Sequence, residues 1–216
     1  MIEKDNSYYE NYRNEMLLFI PASAKKILEV GCGEGRFSLQ IKNKNTELWG
    51  LEPDQRSAEI AKGKLFKVIH ATLEEAIDQL PNKYFDAIIF NDVLEHMFYP
   101  KENLKLLRSK LSTEGRIVAS IPNIRYIKNL YLYLVKGTWE YTESGIMDYT
   151  HFRFFTKKSN GPFFKDCGYE IETMKGITGT KSIKYQLLAL LISLLTLRNQ
   201  FDTLYLQMAV VAKVQH

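Results

Sequence analysis

The first residues whose types and spacing could do chemistry form a glycine-rich turn and an acidic position that follows it. The segment ILEVGCGEGRFSLQI places a buried strand directly before Gly31, Gly33 and Gly35 and a helix directly after them. Glycines at such a turn let a ligand lie against backbone N–H groups at the helix N-terminus. About twenty residues later LWGLEP ends a second strand, where Glu52 can accept hydrogen bonds from ribose hydroxyls. Together the two features predict a cradle for a nucleotide.

The spacing of the glycines distinguishes between nucleotide cofactors. The chain reads GxGxG, with Glu29 two residues before the first glycine. The dinucleotide fingerprint is GxGxxG, with its third glycine one place later. The spacing therefore argues against NAD. An alternative interpretation is that the glycines only form a tight turn and that Glu52 only caps the helix beginning at Pro53.

A second group of titratable residues follows the fourth predicted strand. Asp92, Glu95 and His96 lie in NDVLEH, and in a helix their i, i+3, i+4 spacing would place them on one face. An imidazole has an unperturbed pKa close to working pH, so His96 is a candidate general base. The alternative is that NDVLEH is a scaffold turn in which His96 only satisfies backbone groups.

Strand-like and helix-like segments alternate at short intervals along the chain. Strands are predicted at residues 26–30, 47–52, 66–71, 85–91, 116–121, 169–177 and 204–214, and late helices at 157–167 and 183–197. This order is typical of an α/β fold in which a mostly parallel sheet has helices on both faces. A chain of 216 residues that is 45% hydrophobic is predicted to form one domain, 1–216, in which residues 123–156 are an aromatic lid.

The motifs EVGCGEG, GLEP and NDVLEH make the chain similar to the class I S-adenosylmethionine-dependent methyltransferases. The resemblance implies a Rossmann-like, seven-stranded, mostly parallel sheet with an antiparallel last strand. It also implies that Tyr8 and Tyr9 fold across the cofactor, unless their segment simply packs on the sheet. The residues that would approach the methionine, ribose, adenine and sulfonium parts of the cofactor are Glu29, Gly31, Cys32, Gly33, Glu52, Pro53, Thr72, Leu73, Asn91 and Asp92.

The lid carries a second resemblance, which concerns the acceptor. GTWEYTESGIMDYTHFRFFT is similar to a region of methyltransferases encoded with bacterial surface-polysaccharide and glycosyltransferase genes. It implies a saccharide acceptor, either a sugar nucleotide or a glycan, and it offers Asp148 and His151 as an alternative base. The alternative for the aromatic residues is that they close the core. The match rests on Trp139, Tyr141, Asp148, His151 and Arg153.

Asp92, Glu95 and His96, taken with His151, also resemble clusters found in some metal-dependent RNA and quinone-pathway methyltransferases. Two carboxylates and two imidazoles suit a divalent cation. The pattern in this chain begins with Asp rather than Glu, and the sequence does not bring His151 near His96. The prediction is therefore that the protein has no metal site.

The composition limits the class of partner. The 29 Lys and Arg residues against 25 Asp and Glu give a charge of +4 without a polybasic run, so no nucleic-acid partner is predicted. Cys32 and Cys167 form neither a disulfide framework nor a zinc motif, and the chain begins without a secretory signal, so a cytoplasmic protein is predicted. The apolar run at 187–197 is too short to span a bilayer. We expect it to be buried or to form a homodimer contact, with a membrane surface as the third alternative.

The predicted function is transfer of a methyl group from S-adenosylmethionine to an oxygen atom of a small-molecule or saccharide acceptor. The second product is S-adenosylhomocysteine. His96, or His151 with Asp148, would remove the proton of the acceptor. The alternative from another functional class is a non-catalytic module that binds the cofactor and uses the lid or the apolar helix for a partner.

Overall fold

A computed structural model describes residues 13–41, 43, 45–198 and 200–215. Tyr8 and Tyr9 lie outside the described residues, so their expected position over the cofactor stays a prediction. The strands are β1 Lys26–Val30, β2 Glu47–Glu52, β3 Lys67–His70, β4 Phe85–Asn91, β5 Leu111–Pro122, β6 Tyr169–Gly179 and β7 Tyr205–Val214. The α-helices are α1 Arg36–Ile41, α2 Gln55–Lys62, α3 Leu73–Ala76, α4 Pro100–Leu107, α5 Ile127–Tyr131, α6 Lys157–Asp166 and α7 Ile183–Thr196.

The strands form one sheet in the order β3-β2-β1-β4-β5-β7-β6. The first five strands pair in parallel, and β7 is antiparallel to both β5 and β6. The predicted α/β fold, a Rossmann-like seven-stranded sheet with an antiparallel last strand and helices around it, is confirmed. β7 lies between β5 and β6, a position that the order of elements along the chain does not reveal.

Both faces of the sheet are buried, as the nearly continuous apolar runs of its strands predict. Successive side chains of a strand point to opposite faces. Leu28 and Phe90 accordingly belong to one core cluster, whereas Ile27 and Ile89 belong to the other. A parallel sheet is stable when both faces are covered in this way. The carboxyl ends of β1, β2 and β4 meet at one edge, where the ligand crevice of open α/β sheets lies.

The segment predicted as a lid, residues 123–156, contains a short helix followed by irregular backbone. Helix α5 continues as a π-helical turn at Leu132–Lys136. Further along, the backbone amides of Phe152 and Arg153 donate to the carbonyl oxygen of Glu95 at 2.9 and 3.1 Å. The segment is therefore tied to the turn that follows β4.

Helix α7 differs from the expectation that its apolar run is buried. Only one side of a surface helix can contact the core, and here Tyr185, Leu188 and Ile192 pack on the neighbouring cluster around Ile127. The remaining leucines of α7 are exposed. Burial of residues 187–197 within the chain is therefore wrong. Among the described residues, no helix is long and apolar enough to cross a membrane.

Candidate active site

A cleft of about 1330 Å³ opens at the carboxyl ends of β1, β2 and β4. Every residue predicted to bind the cofactor or to act in catalysis lines this cleft. The structure thus brings the predicted residues to one place, while their contacts with cofactor and acceptor stay predictions. The lining includes Glu29, Gly31, Cys32, Gly33, Glu52, Pro53, Thr72, Leu73, Asn91, Asp92, His96, Asp148 and His151.

The glycine turn after β1 has a backbone conformation and a close contact that favour glycine. Gly31, Gly33 and Gly35 have φ angles of 69°, 52° and 76°, a region that favours glycine. A Cβ atom on Gly31 would lie 2.8 Å from Cγ2 of Val93. The Gly31 amide donates to the carbonyl oxygen of Leu51 at 2.8 Å. The turn is therefore held against β2 and the turn after β4, with backbone forming the wall of the cleft.

Glu52, at the tip of β2, is more than a helix cap. Its carboxylate accepts hydrogen bonds from the backbone amides of Gly33 at 2.7 Å and Asp54 at 2.9 Å. Helix α2 is capped by Asp54, which accepts from the amide of Ser57. Burial raises the pKa of Glu52, and the two amides oppose that shift. Because a carboxylate has about four acceptor positions, Glu52 retains capacity for ligand hydroxyls.

Glu29 and Asn91 form a buried group of acceptors beneath the glycine turn. Glu29 accepts from the Ser38 hydroxyl at 2.6 Å and from Nδ2 of Asn91 at 3.3 Å. Burial raises the pKa of Glu29 to about 7. Oδ1 of Asn91 is buried and has no hydrogen-bond partner among the described residues. Buried polar atoms are normally paired, so these acceptors fit the ammonium group of the methionine part of S-adenosylmethionine.

Two of the predicted cofactor residues have clear structural roles of their own. The Thr72 hydroxyl accepts from the amide of Glu75, and Glu75 reaches back to Thr72, which together cap α3. A Cβ atom on Gly50 would lie 2.5 Å from Sγ of Cys32, so the thiol fills the space beside β2. Burial raises the pKa of the Cys32 thiol, which keeps it protonated. Contacts of Thr72 and Cys32 with the cofactor stay predictions.

The turn after β4 is not the α-helix that would place its three titratable residues on one face. Asp92 has φ of 55°, and Leu94–His96 form a single 3-10 turn. The Asp92 carboxylate pairs with the guanidinium of Arg13 and accepts from the Ser120 hydroxyl at 3.0 Å and from Nε2 of Gln207 at 2.7 Å. Arg13, Ser120 and Gln207 were not identified from the sequence. They lie far from Asp92 along the chain, and only the sheet brings them together.

His96 is held in a defined tautomer by the lid segment. The Thr150 hydroxyl donates to Oδ1 of Asp148 at 2.6 Å, so its oxygen acts as an acceptor towards Nδ1 of His96 at 3.0 Å. The carbonyl oxygen of Thr150 lies 3.2 Å from the same nitrogen. Two acceptors at Nδ1 place the ring proton there, which leaves the lone pair on Nε2. Asp148 thus acts on His96 through Thr150.

His151 lies beside His96 and beside a buried carboxyl group. The two imidazole rings are 4.5 Å apart between centroids, and Nδ1 of His151 lies 2.9 Å from the carbonyl oxygen of Ile146. That acceptor places the lone pair of His151 on Nε2, which is 4.0 Å from Oε1 of Glu95. Burial, and secondly the charge of Asp92, raise the pKa of Glu95 well above its usual value. The structure therefore joins the two imidazoles that the sequence left separate.

Glu95, His96 and His151 are also the residues that could hold a metal ion. One ligand atom from each lies within 4.8 Å of the others. Neither carboxylate oxygen of Glu95 has a hydrogen-bond partner among the described residues. A carboxylate with two imidazoles suits zinc, manganese or iron. The absence of a metal site was predicted on two grounds, the Asp at the start of the pattern and the unknown distance between His151 and His96. The structure brings the two imidazoles together but leaves Asp92 outside the group, paired with Arg13.

The residues proposed to contact a sugar divide between the inside and the outside of the cleft. Asp148 and His151 line it, as described above. Trp139 and Tyr141 are exposed and stand outside the cleft as the described residues form it. The Arg153 guanidinium donates to the carbonyl oxygen of Phe98 at 2.9 Å and is not part of the cleft lining, so its contact with an acceptor stays a prediction. Phe98 and Tyr149 line the cleft instead, and no pattern in the sequence distinguished them from the other aromatic residues.

A family model described as a methyltransferase domain matches residues 1–174 of the 216-residue chain. The chain belongs to this methyltransferase family. Its glycine turn, the acidic tip of β2 and the orphaned acceptor of Asn91 agree with that assignment. The protein is therefore an enzyme, an S-adenosylmethionine-dependent methyltransferase.

Two curated proteins are similar to this methyltransferase in sequence. It is 28% identical over 166 residues to the mitochondrial ubiquinone biosynthesis O-methyltransferase of Schizosaccharomyces pombe, covering 72% of this chain and 58% of that protein. It is 25% identical over 175 residues to the ubiquinone biosynthesis O-methyltransferase of Pseudomonas aeruginosa, covering 77% and 74%. The chain thus spans little more than half the length of the yeast relative.

Solved structures of other methyltransferases share the fold. A SAM-dependent methyltransferase from Archaeoglobus fulgidus superposes with a TM-score of 0.66 at 21% identity, over 93% of this chain and 91% of that one. The 1,6-didemethyltoxoflavin-N1-methyltransferase of Burkholderia thailandensis, solved with S-adenosylhomocysteine, gives a TM-score of 0.64 at 10% identity, over 98% and 82%. At these identities the likeness shows the fold alone.

Proposed function

We propose that this methyltransferase transfers the methyl group to a hydroxyl oxygen of a small-molecule acceptor, with His96 as the general base. The observation that carries the proposal is the position of two Thr150 oxygen atoms at Nδ1 of His96. Its Nδ1 faces two acceptors from Thr150, at 3.0 and 3.2 Å, and Nε2 therefore bears the lone pair. A base of this kind is needed for a hydroxyl, whose proton must leave during transfer.

In the proposed methyl transfer, the residues of the chain bind and orient the reactants and accept one proton. When bound, S-adenosylmethionine supplies a methyl group on a sulfonium. A nucleophile attacks the methyl carbon in line with the carbon–sulfur bond, and the sulfur is the leaving group. Nε2 of His96 accepts the hydroxyl proton while the acceptor oxygen forms its bond to the methyl carbon. The electron pair of the broken carbon–sulfur bond remains on sulfur, which yields S-adenosylhomocysteine. Asp148 and Thr150 keep the imidazole oriented towards the cleft. Holding the base, the acceptor oxygen and the methyl carbon in the right geometry is a contribution of the protein to the rate.

The finer proposal is that the acceptor is a saccharide, either a sugar nucleotide or a glycan. Its support is the resemblance of residues 137–156 to methyltransferases encoded with surface-polysaccharide genes. Phe98 and Tyr149 provide aromatic faces at the cleft on which a sugar ring can pack. The relatives named ubiquinone biosynthesis O-methyltransferase support transfer of the methyl group to oxygen. Phenols, as aromatic hydroxyl compounds, serve as the non-saccharide comparison in the test.

The direct test is a panel of sugar nucleotides, glycans, phenols and amines, with S-adenosylhomocysteine formation and product mass as readouts. We expect acceptor-dependent formation of S-adenosylhomocysteine and a saccharide product heavier by one methyl group. Turnover with phenols alone would refute the saccharide and keep O-methylation. Turnover with amines alone would refute the hydroxyl acceptor.

Cofactor binding is expected to depend on pH through Glu29. Its pKa of about 7 means that the carboxyl is mostly protonated at pH 6, whereas an ammonium ligand favours the carboxylate. Binding near pH 6 must therefore release a proton, and affinity should rise about fivefold to tenfold between pH 6 and pH 7.5. Calorimetric titration across this range measures the effect. Glu29→Gln should bind more weakly with a flatter profile, and a wild-type affinity that does not change with pH would contradict the assignment.

A second candidate role for the same cluster is a divalent-cation site, favoured by the unpaired carboxylate oxygens of Glu95 beside two imidazoles. In that case the cation would lower the pKa of the acceptor hydroxyl, and His96 would be one of its ligands instead of the general base. With His96 as the base, we expect dialysis against EDTA to leave turnover unchanged. Loss of turnover that manganese, magnesium or zinc restores would replace the general base with a metal site.

A further inference from the structure

Helix α7 is apolar both on the side that packs on the protein and on the side that is exposed. Tyr185, Leu188 and Ile192 pack inward on the cluster of Tyr126 and Ile127. A surface helix normally presents polar residues to solvent on its other side. Here that side is apolar and between 44% and 75% exposed. This apolar face consists of Ile183, Leu187, Leu190, Leu191, Leu194 and Leu195.

The neighbouring helix extends the exposed apolar surface. Helix α5 packs against α7, and Nζ of Lys184 lies 5.9 Å from the centre of the Tyr131 ring. The continuation of α5 exposes three further apolar side chains, Leu132, Leu134 and Val135. Exposed apolar side chains grouped on two neighbouring helices indicate an interaction site, because single exposed apolar residues are ordinary but groups of them are not.

The charged residues along α7 and α5 are basic. The acidic residue that follows α7, Asp202, has a mostly buried carboxylate that pairs with Arg125 at 2.9 Å. Residues 173–201, which contain α7, include four basic residues and no Asp or Glu, and residues 115–139, which contain α5, are likewise free of acidic residues. Lys181 and Lys184 lie at the start of α7 and Arg198 just beyond its end, all of them exposed. Anionic lipid headgroups complement such a rim. A second copy of this face would instead bring cations against cations.

The length of α7 determines how it can meet a bilayer. Its 14 residues extend about 21 Å, which is shorter than the roughly 30 Å hydrocarbon layer. Because α7 packs on the protein along Tyr185, Leu188 and Ile192, only its opposite, apolar side can meet a bilayer. Docking by that side lays the helix parallel to the membrane surface, with its leucines among the acyl chains and its lysines at the headgroups.

We propose that α7 is a peripheral membrane-binding helix that docks this methyltransferase on an anionic lipid surface. Docking would bring the cleft close to the bilayer, because Ile146 belongs both to the cluster beneath α7 and to the cleft lining. The proposal is independent of the acceptor and of the general base. An acceptor carried on a lipid could then reach the cleft without leaving the interface.

The test is sedimentation of the full chain with vesicles of phosphatidylcholine, alone or with one quarter phosphatidylglycerol. We expect binding to the anionic vesicles that weakens with salt. Leu191→Glu/Leu194→Glu should lower the bound fraction about tenfold or more, because two charges then enter the acyl region. The matched control is Leu18→Glu/Leu106→Glu, which makes the same changes at exposed leucines elsewhere and should bind like wild type.

Other outcomes of this experiment overturn the proposal. Absence of wild-type binding to anionic vesicles would do so, as would an equal loss in both double variants. A dimer in light scattering that only Leu191→Glu/Leu194→Glu dissociates would assign the apolar face to a second copy of the chain. S-adenosylmethionine affinity and the thermal midpoint are measured for each variant, so that a misfolded protein is not mistaken for one that has lost its lipid contact.

Discussion

Replacement of Glu52 by glutamine is expected to weaken S-adenosylmethionine binding about 100-fold or more in a calorimetric titration. Both carboxylate oxygens are engaged with backbone N–H groups, from Gly33 at 2.7 Å and Asp54 at 2.9 Å. The NH₂ group of glutamine would have to face one of these donors. The charge that would strengthen hydrogen bonds from the ribose hydroxyls is lost at the same time.

The matched control for this variant is Glu59→Gln. Glu59 lies on the exposed side of α2 and pairs with Lys62 at 2.6 Å, so the same chemical change should leave affinity unaltered. The thermal midpoint of Glu52→Gln should fall modestly, because the carboxylate also ties β2 to the glycine turn. An affinity for Glu52→Gln close to wild type would show that this residue supports the turn without contacting the cofactor.

Replacement of His96 by glutamine is expected to lower kcat about 100-fold to 1000-fold while the affinity for S-adenosylmethionine stays near wild type. Glutamine can donate to Thr150 in place of Nδ1, so the local structure is preserved. It has no group that accepts a proton at working pH. The measurement is the rate of S-adenosylhomocysteine formation at saturating acceptor, together with calorimetric binding.

His70→Gln serves as the matched control, because His70 is exposed at the end of β3 and stands outside the cleft lining. His151→Gln is measured in parallel. Full turnover in His96→Gln with loss in His151→Gln would move the base to His151. Full turnover in both variants would leave the turn after β4 as a scaffold, which was the alternative in the sequence analysis.

The meeting of the proposed cofactor residues in one cleft could be predicted from the sequence, because the signals that place them are local. A buried strand, a turn whose φ angles require glycine and a helix follow one another within a few residues around Gly31. The tip of β2 lies beside this turn because the two strands are parallel neighbours, which the β-α-β order predicts. The position of Glu52 beside the glycine turn therefore follows from the order of the strands and helices along the chain.

The catalytic half depends on contacts between parts of the chain that no local pattern links. Thr150 reaches His96 across 54 positions, and Gln207 reaches Asp92 across 115. These contacts follow from the path of residues 123–156 and from the position of β7 beside β5. No periodic pattern of residues in the sequence indicates either of them.

Helix α7 shows the same division. Its sequence determined that it is apolar and too short to span a bilayer, but it did not determine which side of the helix faces the core. That choice depended on which residues fit the cluster of Tyr126 and Ile127. Local backbone preferences and side-chain periodicity are properties of short segments, so the sequence alone determined the strands, the glycine turn and the cofactor cradle. The path of residues 123–156 and the outward face of a helix follow from packing between distant segments, and only the tertiary structure decided them.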